Sequence, residues 1–200
     1  MTRQLGIVGV SHKTAPIEVR ERVAFAEDTL GESLKKLVDV PGVGEAMIVS
    51  TCNRVELYAG VDDKTAIEAL QRFLIDERQL PSALRAHVYA HDGHDALRHL
   101  FRVAASLDSM VVGESQILGQ VKDAYAAALE AGTLGPVLQR AVPRAFALAK
   151  RVRTEPDVAK SSASIASAAV DLAAQIFGEL DRRHVLVVAP ARWASCRRAT

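Results

Sequence analysis

The chain has 200 residues, 25 Lys and Arg against 24 Asp and Glu, a net charge of +1 and 49% hydrophobic residues. That balance excludes an intrinsically disordered chain, and it shows no overall basic footprint of the kind a nonspecific nucleic-acid binder carries, so any RNA contact must come from a local patch. No apolar run approaches the roughly 20 residues needed to cross a bilayer. No leader-like segment follows Met1, and the two cysteines, Cys52 and Cys196, lack metal-like spacing, so a soluble cytoplasmic protein without a disulfide framework is expected.

Taken in chain order, residues 5–10 (LGIVGV) read as a buried first strand ending at the polar SHKTAP turn. Pro16 suits the first turn of a helix carrying Ile17, Arg20, Glu21 and Val23, and Thr29 is a candidate cap for a second helix to about Val38. Residues 46–50 (AMIVS) and 55–61 (VELYAGV) read as strands flanking the polar loop TCNR, residues 51–54. Residues 65–79 are amphipathic, and 86–90 are a short strand candidate. From Asp95 the pattern is helical: 95–110, 114–131 and 136–153, the last kinked at Pro143. A small polar linker, an apolar-faced helix and the strand HVLVV follow. Strands early and helices late make an α+β chain.

Cys52 is placed for reactivity, at a strand end between polar neighbours, and a nearby cation such as Arg54 or a histidine would favour its thiolate. Composition alone fits an inert buried cysteine better. Gln116, Gln120 and Asp123 share one helical face and Ile117, Val121 and Tyr125 another; the polar face suits a pocket or plain solvent. Arg140, Arg144 and Arg151 also share a face, open to the same two readings with RNA phosphates as the ligand. His91 and His94 lack further ligands at metal spacing, so no metal is assigned.

Four segments in this order, GVSHKTAP (9–16), STCNRVELY (50–58), LDSMVVGESQILGQVKDAY (107–125) and KRVRTE (150–155), resemble glutamyl-tRNA reductase. The resemblance implies a small antiparallel sheet with helices over residues 1–155 as the catalytic, glutamyl-tRNA-binding domain. It implies a connecting helix and the start of an NADPH-binding domain over 156–200. Cys52 would attack the ester joining glutamate to tRNA(Glu), and NADPH would reduce the resulting thioester to glutamate 1-semialdehyde, the first step of the C5 route to tetrapyrroles (porphyrins).

By the same resemblance, His99 would assist at the reacting carbonyl. Arg54 would clamp the substrate side-chain carboxylate from within the loop, and Thr51, Asn53, Ser109, Glu114, Ser115, Gln116 and Gln120 would line the substrate pocket. The family forms homodimers through a later domain, and glutamate-1-semialdehyde aminomutase is a candidate partner.

Two departures stand out. The family has GAGEMG after its HVLVV-like strand, where glycines admit a cofactor pyrophosphate; here residues 189–196 read APARWASC, without a glycine and with Pro190 removing a donor. One choice of codons for APARWASC, regrouped after one added G, spells GAGEMGEL, so a frameshifted, truncated tail is expected, limited to thioester formation and hydrolysis. The second departure is Ser106, where the family usually has glycine, implying some loss of helix packing. The rival from another class is a noncatalytic RNA- or partner-binding module.

Overall fold

The computed structural model describes residues 3–77, 80–110, 112–114, 116–154 and 174–176. The chain divides into two units, Met1–Ser164 and Ile165–Thr200. The fold below is that of the first, and the expected linker, most of the connecting helix and the HVLVV strand lie outside the described residues.

Four strands, β1 (Gln4–Ser11), β2 (Val43–Ser50), β3 (Arg54–Val61) and β4 (Tyr89–Asp92), form one sheet in the order β2-β3-β1-β4. Every neighbouring pair is antiparallel. Six helices accompany it: α1 (Ile17–Val23), α2 (Glu27–Val38), α3 (Lys64–Glu77), α4 (Gly93–Ala104), α5 (Gln116–Glu130) and α6 (Pro136–Thr154). Helices α2 and α5 pack on β2, α3 and α4 on β1, and α6 reaches β1, β2, β3 and α4. With helices against it, β3 is buried at every position and β1 at all but its first. That is why both strands read as nearly continuous apolar runs rather than as clean alternation. The expected α+β architecture is the one observed.

Local details differ from the sequence reading. Ala26, not Thr29, occupies the N-cap of α2, and the Thr29 hydroxyl lies inside the helix, donating back to the Ala26 carbonyl at 3.3 Å. The helix starts early because Glu27 and Asp28 supply the first-turn acids that its exposed N–H groups favour. Residues 82–87 form a 3-10 helix and the strand begins at Tyr89, where pairing with β1 becomes available. Helix α6 runs on through Pro143 as a single element.

The helix expected to reach Met110 stops at Ala104. Leu107 N–H bonds to the Arg102 carbonyl at 2.8 Å and Ser106 N–H to the Val103 carbonyl at 3.0 Å, with Ser106 at φ 63°. This is a Schellman stop, whose left-handed position glycine fills without steric cost. A glycine at position 106, expected from the resemblance, would meet this backbone demand without strain.

Glu45 fixes the far end of the structure. Its buried carboxylate accepts from the N–H groups of Gly135 (3.2 Å), Val137 (3.0 Å) and Leu138 (2.7 Å) at the start of α6. A strand side chain thereby caps a helix some ninety residues away and satisfies donors that would otherwise be orphaned.

Candidate active site

Cys52 lies exposed in the three-residue connection between β2 and β3. The turn is closed by Thr51 N–H to the Arg54 carbonyl at 2.8 Å, while the Thr51 hydroxyl accepts from Asn53 N–H (3.2 Å) and Arg54 N–H (3.1 Å). Thr51 therefore shapes the loop, the local role that Thr takes in tight turns. The Asn53 carbonyl accepts from His12 N–H at 2.8 Å, so the SHK turn after β1 props the cysteine loop from beside it.

Arg54 is not in that loop, as the sequence reading had it. It is the first residue of β3, 1% exposed, with Nη1 donating to Glu56 Oε1 at 3.0 Å and Nη2 to the Asp108 carbonyl at 2.5 Å and to Asp108 Oδ2 at 3.2 Å. The side chain points inward because Arg54, Glu56 and Tyr58 alternate onto one face of β3. Glu56 is fully buried and is the hub: it accepts from Arg54, from the hydroxyls of Tyr58 and Tyr89, and from His99 Nε2 at 2.6 Å. Burial alone would raise its pKa, but Arg54, His99 and Tyr58 outweigh burial and hold the carboxyl well below the usual range. Burial and the Glu56 charge in turn push the phenols of Tyr58 and Tyr89 upward.

His99, carried by α4, thus has Nε2–H committed to an ionised carboxylate, which leaves Nδ1 as the open ring nitrogen. Its ring lies 4.7 Å from that of His91 and 5.6 Å from that of Tyr89. His91 belongs to β4 and His94 to the first turn of α4, and no group of His, Cys, Asp and Glu among the described residues is arranged to hold a metal ion.

Asp108, in the turn after α4, bridges Lys13 and Arg54. Burial tends to raise its pKa, and Lys13 and Arg54 prevail in lowering it. The next residue, Ser109, accepts from the Ser106 hydroxyl at 3.1 Å, so this expected substrate residue shares a turn with Arg54's partner. Glu114 is buried, and burial raises its pKa. Ser115 lies outside the described residues. Gln116 is exposed and Gln120 half-buried at the start of α5, whose inner side is Ile117, Leu118 and Val121, so the expected division of faces holds.

Glu56, Asp108, Lys13, Tyr89 and Arg20 were missed by sequence reasoning. The available signal for Glu56 was a lone acid inside an apolar strand. Arg140 and Arg144 are exposed and line, with Arg3, Leu97 and Phe101, a groove of about 720 Å³. That groove also includes Gln4, which pairs with Val61, whereas Ser11 pairs with Arg54 beside the cysteine loop, so the groove lies at the opposite end of the sheet. At about 3.3 Å per residue the two ends are roughly 25 Å apart.

These features describe an α+β domain whose sheet end carries an exposed cysteine, a buried arginine and acid, and a half-buried histidine. Residues 8–156 match the family described as glutamyl-tRNA(Glu) reductase, N-terminal domain. The chain is 52% identical over 184 residues to a glutamyl-tRNA reductase of Syntrophotalea carbinolica, covering 91% of this chain and 42% of that protein. It is 51% identical over 187 residues to that of Solibacter usitatus, covering 92% and 44%. Its structure resembles glutamyl-tRNA reductase from Methanopyrus kandleri, with a TM-score of 0.67 and 37% identity over 87% of this chain and 40% of the other. The chain belongs to the glutamyl-tRNA reductase family. It spans less than half the length of the relatives it matches.

Proposed function

We propose that this domain takes the glutamyl group from glutamyl-tRNA(Glu) onto Cys52. The supporting observation is the placement of an exposed cysteine in a hydrogen-bonded turn directly before Arg54 and its network. The Cys52 thiolate attacks the ester carbonyl, the tetrahedral adduct collapses with loss of the tRNA 3′-oxygen, and a thioester remains. His99, oriented by Glu56, takes up a proton from solvent at Nδ1 and passes it to the leaving oxygen. Thr51 and Asn53 hold the loop that carries the nucleophile, and Ser109, Glu114, Ser115, Gln116 and Gln120 line the glutamyl pocket.

Arg54 receives the glutamate side-chain carboxylate in this reading, and because Asp108 stands on its Nη2, the incoming carboxylate replaces Asp108 there. A buried guanidinium exchanging one carboxylate for another keeps its charge compensated throughout.

The family relationship supports a place in tetrapyrrole synthesis, with reduction by NADPH, a homodimeric assembly, an aminomutase partner and a cytoplasmic setting belonging to the proposal. No helix among the described residues is long and apolar enough to cross a membrane. Residues 189–196 lie outside the described residues, and their composition does not fit a pyrophosphate cradle. No step is therefore routed through the nicotinamide, and residues 1–155 are assigned the acyl transfer alone.

The test is incubation with tRNA carrying labelled glutamate, followed by digestion and mass spectrometry. Label on the Cys52 peptide, absent in Cys52→Ser, is the expected result, and with NADPH present the label should leave as glutamate. An unlabelled Cys52 overturns the acyl-transfer reading, and NADPH-dependent aldehyde overturns the assignment of residues 189–196.

A further inference from the structure

Arg20 is the cation that the sequence did not single out. It projects from the seven-residue α1 and is 8% exposed. One guanidinium nitrogen, Nη1, donates to the main-chain carbonyl of Cys52 and to Asn53 Oδ1, the latter at 3.4 Å. Its Nε is sealed from solvent with no hydrogen-bond partner. Among the described residues no carboxylate forms an ion pair with it, whereas Arg54 has both Glu56 and Asp108. A guanidinium buried without an anion is costly and persists where a charge is to be met.

We infer that Arg20 is a positioning residue for the nucleophile, holding the Cys52 loop by its backbone and supplying the uncompensated positive charge that stabilises the Cys52 thiolate. This rests on the reading of Cys52 as the nucleophile. Other charges around the loop do not take over the task. Lys13 is engaged with Asp108, and Arg54 is held by two acids. His12, half-buried and flanked by Arg54, Lys13 and Arg20, has its pKa lowered, first by burial and then by those cations against the opposing pull of Asp108, so it stays neutral. The proton released from Cys52 goes to solvent, the loop being exposed.

The test is the pH dependence of Cys52 alkylation by iodoacetamide, in the 200-residue chain carrying Cys196→Ser so that one thiol reports. In the parent the rate should reach half its plateau below the roughly 8.5 of an ordinary thiol. In Arg20→Gln the midpoint should rise by about one pH unit, and in Arg20→Lys it should fall between the two. Unchanged midpoints in both variants overturn the inference, while labelling of Cys52 by glutamyl-tRNA separately decides the acyl-transfer reading.

A second measurement leaves Arg20 untouched in case its replacement prevents folding. Cys52→Asp puts an anion in the exposed loop at neutral pH, where it should melt at a higher temperature than Cys52→Asn. The advantage should vanish as pH falls through the carboxylate's titration. Equal melting temperatures at neutral pH would mean that Arg20 meets no anion at this position.

Discussion

Gly9 of β1 stands opposite Glu56 of β3, and a Cβ on Gly9 would lie 2.8 Å from Glu56 Cγ and 2.5 Å from the Val55 carbonyl oxygen. Tyr89 of β4 pairs with Gly9 from the other side, and its hydroxyl reaches Glu56 across the space where a side chain would be. The missing Cβ is thus what lets three strands converge on one buried carboxylate.

Gly9→Ala should therefore act on the site as well as on the fold. The contact with a backbone oxygen cannot be relieved by a rotamer change, so the strands must part. Overpacking of this kind costs about 1–3 kcal/mol. The expected outcome is a lower urea midpoint together with loss of glutamyl transfer to Cys52. Retention of both would mean that the Tyr89–Glu56 contact is dispensable.

Glu56 and Asp108 predict the acid limit of stability. Both carboxyls have folded pKa values below their unfolded ones, so their contribution is present above the unfolded pKa, about 4, and lost as pH falls below it. Melting temperatures should be nearly level at neutral pH and drop steeply under pH 4. Glu56→Gln leaves Arg54 short of one anion, so it should be less stable than the parent at pH 7, and the gap should narrow toward pH 3. A gap of constant size across that range would show that the Glu56 charge is not what stabilises.

How much of this was legible in the chain depends on sequence separation. Glu56 and Tyr58 fall within the strand read at residues 55–61, a local pattern, and the other strands and most helices were readable in the same way. The partners of Glu56 and Arg54 are not local: His99 meets Glu56 from 43 residues away and Asp108 meets Arg54 from 54 away. No spacing rule links such positions, so Arg54 was read as a loop residue facing substrate. Arg20 was hidden for another reason, since a seven-residue helix is too short to display a buried polar position as a break in an apolar stripe. Cys52 itself was legible because strand propensity stops sharply on both sides of the TCNR turn.

Glu45 offers a stability test remote from the chemistry. Its carboxylate is the N-terminal cap of α6, taking three backbone donors. Glu45→Ala should cost about 1–2 kcal/mol, the usual range for losing a cap, and Glu45→Gln somewhat less, because an amide oxygen still accepts. Chemical denaturation of the two variants checks the order. Cys52 alkylation should keep the parent pH profile in both, since Glu45 lies at the opposite end of the sheet.

Ser106 separates backbone strain from site chemistry. Its φ of 63° places a side chain where L residues pay roughly 1 kcal/mol or more, and its hydroxyl donates to Ser109. Ser106→Gly removes the strain and loses one partly buried hydrogen bond, worth about 1 kcal/mol on average, while also giving the unfolded chain more freedom. The terms nearly cancel, so the melting temperature should move little. The effect should appear at Ser109, which loses its tether: the glutamyl-tRNA concentration needed for half-maximal labelling of Cys52 should change while the maximal rate does not. Ser106→Ala gives the contrasting case, keeping the strain and dropping the bond, and it should be less stable than the glycine variant by about 1 kcal/mol. If alanine proves as stable as glycine there, the left-handed turn is not what the position selects for.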